Sequence, residues 1–247
     1  CSQVAFIYGE LVHRMGGKAV DYFKLKGRDR AWAEGTSSTL RLASLDIGGG
    51  TSDMMICDYR NRPGFDSDVF PQVKPVFWEG FALAGDDIAR SVIERILLPG
   101  IKAWLVANQA GSVQETLNTL FGPSMGSHTQ EDKVMKQWFT QRVALPVAYG
   151  ILQRRADELE LGKIRMDELA NLDLSEAPGM ESYFEDKIQE NTGVPNFRFS
   201  EITLDVQPRV VDGAIRIVMK NVLEQMSALI STFQCDMLLL TGRPSRL

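Results

Sequence analysis

The stretch Leu45-Asp46-Ile47-Gly48-Gly49-Gly50-Thr51-Ser52-Asp53 decides how the rest of this chain is interpreted. It joins two apolar runs, residues 40–47 and 54–57, so it predicts a β-hairpin with a glycine turn. Successive backbone N–H groups in such a turn can form a concave anion site. Carboxylates at both ends, Asp46 and Asp53, suit a hydrated divalent cation beside that anion. The stretch therefore indicates a site for phosphate and magnesium, with an ordinary glycine hairpin as the alternative.

Composition restricts the class of protein. The net charge of the 247 residues is −5 and no dense basic block is present, so nothing in the charge supports binding to nucleic acid. No apolar stretch reaches the roughly 18 residues that a membrane span needs. The three cysteines lack metal-ligand spacing, and Cys57 and Cys235 lie inside apolar runs, which predicts buried free thiols in a reducing, cytoplasmic compartment. His13 and His128 are too far apart in the sequence to indicate a histidine metal site.

Both ends of the sequence suggest a piece of a longer polypeptide. The first residue is Cys1 and not an initiator methionine. The last residues, 237–247, pass from an apolar strand into a Gly-Arg-Pro-Ser turn and stop there.

The first hundred residues predict part of an α/β core. Their predicted elements are a helix over 4–24, a polar loop over 28–38, strands over 40–47, 54–59 and 73–78, and a helix that starts at Asp86-Asp87 and is interrupted at Pro99-Gly100. Pro75 near the middle of the third strand favours an edge position or a bend.

The remaining residues predict an inserted subdomain and a return to the core. Residues 101–194 indicate a mainly helical insertion, with a long helix over 134–160 that kinks or breaks at Pro146 and another helix over 159–174. The core, residues 1–100 and 195–247, then continues. Its predicted elements are one or two short strands within 197–206, an amphipathic helix over 208–233 and a buried strand over 237–240.

Two strand-to-turn elements that are far apart in the sequence are candidates for one site, namely residues 45–53 and 238–246. Ligands of three-layer α/β folds collect at strand ends where loops converge. The first turn would face phosphates. The second would face ribose and adenine, with Arg243 or Arg246 able to stack on a flat base.

Four segments, in the same order and over essentially the full chain, resemble motifs of the actin/Hsp70/sugar-kinase ATPase superfamily. LDIGGGTSD, residues 45–53, resembles its second phosphate motif, and LLLTGRPSR, residues 238–246, resembles its adenosine motif. VAFIYG, residues 4–9, resembles its first connecting helix, and AGDD, residues 84–87, resembles the turn that begins the next helix. The ending LLLTGRPSRL also resembles the SrfB-type virulence factors, which are large bacterial proteins with an Hsp70-like ATPase region.

This resemblance implies a fold, a cofactor and a set of site residues. The fold is an actin/Hsp70-like, ribonuclease H-like mixed sheet flanked by helices, in the position of the second lobe, and the cofactors are ATP or ADP with magnesium. In this resemblance Asp46 would hold the metal through water, and the backbone amides of Gly48, Gly49, Gly50 and Thr51 would wrap the β- and γ-phosphates. Asp53 would order the attacking water or the loop. Gly85 and Asp86 would border the phosphate and ribose, and the adenosine edge would be formed by Gly242, Ser245 and Arg246.

Departures from the superfamily pattern leave other functions open. Arg243 and Pro244 stand where Hsp70 has glycine and serine, and Ala84 replaces the first glycine of its turn. The first phosphate motif and its lysine-bearing lobe do not occur in this sequence, so the missing first lobe of the same polypeptide is an expected partner and the fragment is expected to be inactive alone. A degenerate scaffold that engages protein partners and a lobe of a sugar or acid kinase remain the alternatives. Asp86-Asp87 is interpreted as a helix start more than as a catalytic pair.

Overall fold

The computed structural model describes residues 2–61, 71–122 and 129–242, which form helices and a five-stranded sheet. The predicted α/β class, with helices flanking a sheet, is confirmed. The described residues divide into two compact units. One contains those up to Asp86 and those from Met219 onward, and the other contains Asp87–Val218.

The first part of the chain contains two helices and four strands. Helix α1 is the run 2–15, made of Ser2–Val4, a π-helical segment Ala5–Val12 and His13–Met15, and helix α2 is Lys18–Lys26. The strands are β1 (Arg28–Trp32), β2 (Gly35–Ile47), β3 (Ser52–Asn61) and β4 (Pro71–Phe81). Gly16, with a φ of 52°, separates the two helices, so the predicted single helix over 4–24 is wrong.

Further along the chain, the described residues form longer helical runs and three short strands. Two of the helical runs contain a π-helical segment. Helix α3 is the run 85–107, made of Gly85–Val92, the π-helical segment Ile93–Leu97 and Leu98–Ala107, and helix α5 is the run 130–156, made of Gln130–Phe139, the π-helical segment Thr140–Ala144 and Leu145–Ala156. The other elements are α4 (Val113–Phe121), β5 (Lys163–Arg165), α6 (Met166–Leu169), α7 (Met180–Thr192), a 3₁₀ turn (Phe199–Glu201), β6 (Thr203–Asp205), α8 (Pro208–Thr232) and β7 (Met237–Thr241).

The main sheet combines an antiparallel meander with one parallel strand. The meander has the spatial order β1-β2-β3-β4, and β7 pairs parallel with β2. Strands β1 and β7 share one edge of β2, since β1 pairs with residues 35–39 and β7 with residues 42–46. The register between β3 and β4 shifts beside Pro75, and β4 is an outer strand, so the predicted edge position or bend is confirmed.

Helices α1 and α2 cover one face of the main sheet. Their contacts form a buried apolar cluster of Ile7, Leu11, Ala19, Phe23, Leu40, Leu42, Cys57 and Tyr59. The buried amide of Gln3 donates to Ser44 Oγ at 2.9 Å and to the Met55 carbonyl at 2.8 Å, and accepts from the Tyr59 hydroxyl at 3.0 Å. Because a buried amide is costly without partners, these bonds fix the start of α1 on the sheet.

The polar segment 28–38 was predicted as a loop, and this prediction is wrong. It forms β1 and the beginning of β2. Arg30 donates to Asp236 Oδ2 at 2.6 Å, to the Thr39 carbonyl at 2.6 Å and to the Gln234 carbonyl at 2.9 Å. The strand is therefore held by polar contacts to distant residues, which leave no pattern of apolar residues in the sequence.

Strand β7 forms where it was predicted, but the prediction that it is buried is wrong. Its side chains alternate between half-buried and exposed, and Leu238 and Leu240 are 40% and 55% exposed. Within the described residues β7 pairs only with β2, so it is an edge strand.

The prediction that Pro99-Gly100 interrupts a helix is also wrong. A π turn comes directly before this proline, and the Leu98 N–H donates to the Ile93 carbonyl five residues back. The same arrangement precedes Pro146, where the Leu145 N–H donates to Thr140. Each π turn lets the helical run continue past a residue that has no N–H of its own.

Residues 159–174 were predicted as a helix, which is wrong for most of their length. They contain β5, which pairs antiparallel with β6, and the short α6. The predicted strand region 197–206 contains the 3₁₀ turn and β6, and the predicted helix over 208–233 is confirmed as α8. The Asp87–Val218 unit has an aromatic core of Phe121, Phe139, Phe184, Phe197 and Phe199, in which neighbouring ring centroids are 4.8 to 5.4 Å apart.

Candidate functional site

The glycine stretch forms the predicted hairpin between β2 and β3. Its four turn residues, 48–51, are closed by the Gly48 N–H, which donates to the Thr51 carbonyl at 2.8 Å. Asp46 and Asp53 are direct cross-strand partners at the base of this turn, and both are exposed. The Thr51 hydroxyl donates to Asp53 Oδ2 at 3.4 Å.

The turn presents three consecutive open donors. The backbone N–H groups of Gly49, Gly50 and Thr51 donate to no acceptor among the described residues, and all three residues are exposed. A row of amides without protein acceptors is the feature that an anion such as a phosphate needs from a backbone.

The start of α3 lies against the hairpin. The Gly85 N–H donates to the Gly48 carbonyl at 3.1 Å, and the Asp86 N–H donates to the Gly49 carbonyl at 2.7 Å. The Asp86 carboxylate is beside the turn, since a β-carbon on Gly49 would lie 3.6 Å from Asp86 Oδ1. The structure thus brings Gly85 and Asp86 together with the glycine turn.

The end of β7 also reaches this turn. Thr241 is the register partner of Asp46, and the next residue, Gly242, lies beside Ile47. The φ of Gly242 is +91°, and a β-carbon there would lie 2.0 Å from the Ile47 carbonyl oxygen. The two strand-to-turn elements therefore end side by side.

The rest of the predicted adenosine edge falls on residues whose structure is not described. Ser245 and Arg246, together with Arg243 and Pro244, lie outside the described residues. Of that predicted group, only Gly242 is placed.

The carboxylates around the turn set its electrostatic character. Asp46 and Asp53 are exposed acids next to open amides and make no ion pair within the described ranges, so in this part of the chain an anion would be repelled unless a cation were bound with it. In the ranges that the structure describes, no three His, Cys, Asp or Glu side chains converge into a group that could hold a metal by themselves. A magnesium ion beside the hairpin would therefore need phosphate or water oxygens in addition to a carboxylate, which is how magnesium is usually bound.

Two residues that support the hairpin were missed from the sequence. Gly80 in β4 is the register partner of Asp53, and a β-carbon at Gly80 would lie 3.1 Å from Asp53 Oδ1. An isolated glycine within a strand pattern is the sequence feature that could have indicated this close approach. Ser52 is fully buried and its hydroxyl donates to the Leu83 carbonyl at 2.6 Å, which fixes the segment that leads into α3.

A second polar cluster lies toward the other end of β2. Arg41 donates from Nε and Nη2 to the two oxygens of buried Asp58 at 2.7 and 2.9 Å, and this carboxylate raises the pKa of the arginine. Cys57 is buried, as predicted, and burial raises the pKa of its thiol. Cys235 is only half-buried, so the prediction that both thiols are buried is wrong for this residue.

The family of the chain follows from its comparison with known proteins. A family model described as Virulence factor SrfB matches residues 1–247, and no curated protein matches the chain. None of the described helices is both long enough and apolar enough to span a membrane. The chain belongs to the SrfB virulence factor family.

Proposed function

We propose that this chain is the second lobe of an Hsp70/actin-like ATPase region in a cytoplasmic SrfB-family protein, and that its glycine hairpin binds the phosphates of ATP or ADP together with magnesium. The observation that carries the proposal is the side-by-side placement of the hairpin and the end of β7. A nucleotide needs one element for its phosphates and another for its nucleoside, and ligands of α/β folds collect at such neighbouring strand ends.

The order of the strands supports the ribonuclease H-like assignment. Three antiparallel strands, β2 to β4, are followed after a long helical segment by β7, which is parallel to β2. The glycine hairpin follows β2, and the residues proposed to bind the nucleoside follow β7. The two elements therefore belong to adjacent strands, as the resemblance to the superfamily implies.

The exposed residues of the hairpin have the roles in the proposal, whereas the expected phosphate contact of the Gly48 amide is dropped because its N–H donates to the Thr51 carbonyl. The amides of Gly49, Gly50 and Thr51 bind phosphate oxygens, and Asp46 holds the metal through water. Asp53, which accepts from the Thr51 hydroxyl, orders the attacking water or the turn itself. Bound magnesium supplies positive charge that offsets the phosphates and the surrounding carboxylates.

The proposal requires a partner lobe. In the superfamily the first lobe closes over the phosphates that the second lobe holds, so the 247-residue chain alone is expected to bind nucleotide weakly and to hydrolyse ATP negligibly. The phosphoryl transfer itself depends on positioning and electrostatics, which two closed lobes provide together.

The decisive experiment compares ATP hydrolysis by the full-length SrfB-family protein with that of its Asp46→Ala variant. Loss of a water-bridged metal contact is expected to lower magnesium-dependent turnover roughly tenfold or more. Asp29→Ala is the matched control, because Asp29 is an exposed aspartate of β1 in the same sheet. Unchanged turnover in Asp46→Ala would remove its metal role.

Calorimetry with magnesium and ATP on the 247-residue chain tests the assignment to a lobe. Weak binding without turnover is expected. Robust turnover by this chain would contradict the lobe assignment, and a full-length protein that neither binds nor hydrolyses ATP would leave the scaffold function in its place.

A further inference from the structure

The two carboxylate oxygens of Asp53 have different surroundings. Oδ2 accepts a hydrogen bond from the Thr51 hydroxyl at 3.4 Å. Oδ1 accepts no hydrogen bond from any residue in the described ranges, and Asp53 is exposed. Two roles were proposed for Asp53, the ordering of the attacking water and the ordering of the turn. Because only Oδ2 is bonded to the turn, Oδ1 is the atom left to hold a water molecule.

Oδ1 lies over Gly80 on the neighbouring strand β4. Gly80 is the register partner of Asp53, and a β-carbon on Gly80 would lie 3.1 Å from Oδ1. Apart from the chain neighbours of Gly80, no other atom of the described residues comes within 4 Å of that β-carbon position. The space that a side chain at position 80 would fill is therefore bordered by this one carboxylate oxygen.

The backbone conformation does not explain why residue 80 is a glycine. Gly80 is not one of the described glycines with a positive φ, so its conformation is open to residues that carry a side chain. A glycine inside a strand also weakens the strand, where β-branched and aromatic residues are favoured. Such a glycine often marks the close approach of another group. At Gly80 the group that approaches is the carboxylate of Asp53.

The space over Gly80 is open to solvent and is bounded along β4 by an aromatic side chain. Trp78 precedes Gly80 by two residues, where the pairing with β3 is regular, so the two residues are on the same face of the sheet. Gly80 is exposed, and Trp78 is 69% exposed. Water can therefore enter beside Oδ1, and the indole limits the space on one side.

We propose that Gly80 is a positioning residue for ATP hydrolysis, because it leaves room for a water molecule that Asp53 Oδ1 orients toward the γ-phosphate. This inference rests on the proposed function. The water oxygen forms a bond to the γ-phosphorus while the bond from that phosphorus to the β–γ bridging oxygen breaks, and ADP leaves with the electron pair. One proton of the water passes to Oδ1 and from there to solvent. Oδ2 keeps its bond to the Thr51 hydroxyl, which holds the carboxylate in this orientation.

A side chain at position 80 displaces the carboxylate from this water. An alanine β-carbon at 3.1 Å from Oδ1 is closer than an ordinary van der Waals contact, so Asp53 has to move slightly, and the branched side chain of valine moves it further. Misplacing a catalytic group by about 1 Å can cost roughly a hundredfold in rate. The amides of the glycine turn that bind the phosphates are not touched by the change.

Steady-state ATP hydrolysis by the full-length SrfB-family protein tests this role. Gly80→Ala is expected to lower kcat roughly tenfold and Gly80→Val roughly a hundredfold, with the KM for Mg-ATP changed by less than about threefold. Gly213→Ala in α8 is the control, since nothing lies within 4 Å of its new β-carbon. An unchanged kcat in Gly80→Val would overturn the role of Gly80 alone. A wild-type protein without turnover would remove the proposed function and this inference with it.

A double-mutant cycle distinguishes an action through Asp53 from a general structural effect. In the Asp53→Ala background, Gly80→Val is expected to change kcat by less than about twofold, because no carboxylate is left to displace. A further tenfold loss in that background, or an unchanged kcat in Asp53→Ala alone, would overturn the proposal.

Urea unfolding of the 247-residue chain measures whether the variants are folded. Gly80→Val is expected to keep or raise the unfolding midpoint, since valine favours a strand. Turnover and stability would then change in different directions, which a merely structural role of Gly80 does not produce. If Gly80→Val does not fold, the same cycle with Gly80→Ala decides between the two outcomes.

Discussion

Gly242 lies so close to Ile47 that a β-carbon on Gly242 would fall 2.0 Å from the Ile47 carbonyl oxygen. Backbone is therefore packed on backbone at the point where β2 enters the glycine turn. Neither partner can move aside as a flexible side chain would, so the end of β7 and the start of the hairpin hold each other in place.

Gly242→Ala is expected to destabilise the fold by about 2 kcal/mol or more, because it adds this clash to a backbone conformation that alanine disfavours. Urea unfolding of the 247-residue chain measures the change. Gly213→Ala in α8 is the control, since nothing lies within 4 Å of its new β-carbon and alanine favours a helix interior by about 0.5–1 kcal/mol. Equal unfolding midpoints for the two variants would contradict the packing described here.

Ser52→Ala is expected to cost about 1–3 kcal/mol, because it leaves the Leu83 carbonyl without the donor that now lies 2.6 Å away. The neighbouring Thr51→Val is a sharp comparison, since that hydroxyl is exposed and its bond to Asp53 is 3.4 Å long. Thermal unfolding should show a clear loss for Ser52→Ala and a change within about 0.5 kcal/mol for Thr51→Val. A larger loss of stability in Thr51→Val than in Ser52→Ala would contradict the conclusion that the Ser52 hydroxyl contributes more to the stability of the hairpin.

Binding of ATP to the full-length protein is expected to need magnesium. Removing the ion with a chelator should weaken the affinity roughly tenfold or more, because Asp46 and Asp53 would then face the phosphates without an intervening cation. Isothermal calorimetry with and without magnesium gives the ratio. Asp53→Asn should strengthen the residual, magnesium-free binding, and a variant that binds more weakly under those conditions would argue against simple charge repulsion.

Stability is expected to decline in alkaline solution. Burial raises the pKa of the Cys57 thiol above its ordinary 9.0 and that of the Tyr59 phenol above its ordinary 10.0. Both groups stay protonated in the folded chain at a pH where they ionise in the unfolded chain. Their contribution to the free energy of unfolding is therefore complete below about pH 9, and it is lost as the pH rises through and beyond the ordinary pKa values of the two groups.

Urea midpoints measured from about pH 8 to about pH 11 test this expectation. Tyr59→Phe lowers the midpoint at every pH because it removes the bond to Gln3, but it should also flatten the decline above about pH 10. A midpoint that stays constant over this range would show that neither group is shifted.

The glycine hairpin and helix α8 could be predicted because their own residues form a recognisable pattern. The glycine hairpin could be found because two apolar runs flank residues 48–51, and helix α8 because its apolar residues recur at helical spacing. No local pattern indicates the contacts of Gly85, Asp86 and Gly242 with the hairpin. The resemblance to superfamily motifs assigned these residues to one nucleotide site, and that assignment stays a prediction.

Elements that depend on distant partners could not be predicted in this way. Strand β1 rests on the contact of Arg30 with Asp236, which is 206 residues away, and β5 rests on its pairing with β6. The helix through Pro99 continues because a π turn changes the bonding register just before it, and this rare conformation was not considered when the proline was interpreted as a break.

Strand β7 is held at both of its ends. Before its first residue, the Asp236 N–H donates to the Arg41 carbonyl at 2.8 Å and the carboxylate of Asp236 is buried; after its last, Gly242 rests on Ile47. The five residues between these two points pair one by one with β2. An insertion or deletion there would release one end or the other, whereas a change of side chain at exposed Leu238 or Leu240 would release neither. Between Asp236 and Gly242 the chain is therefore expected to accept other residue types at positions 238 and 240 but no change in its length.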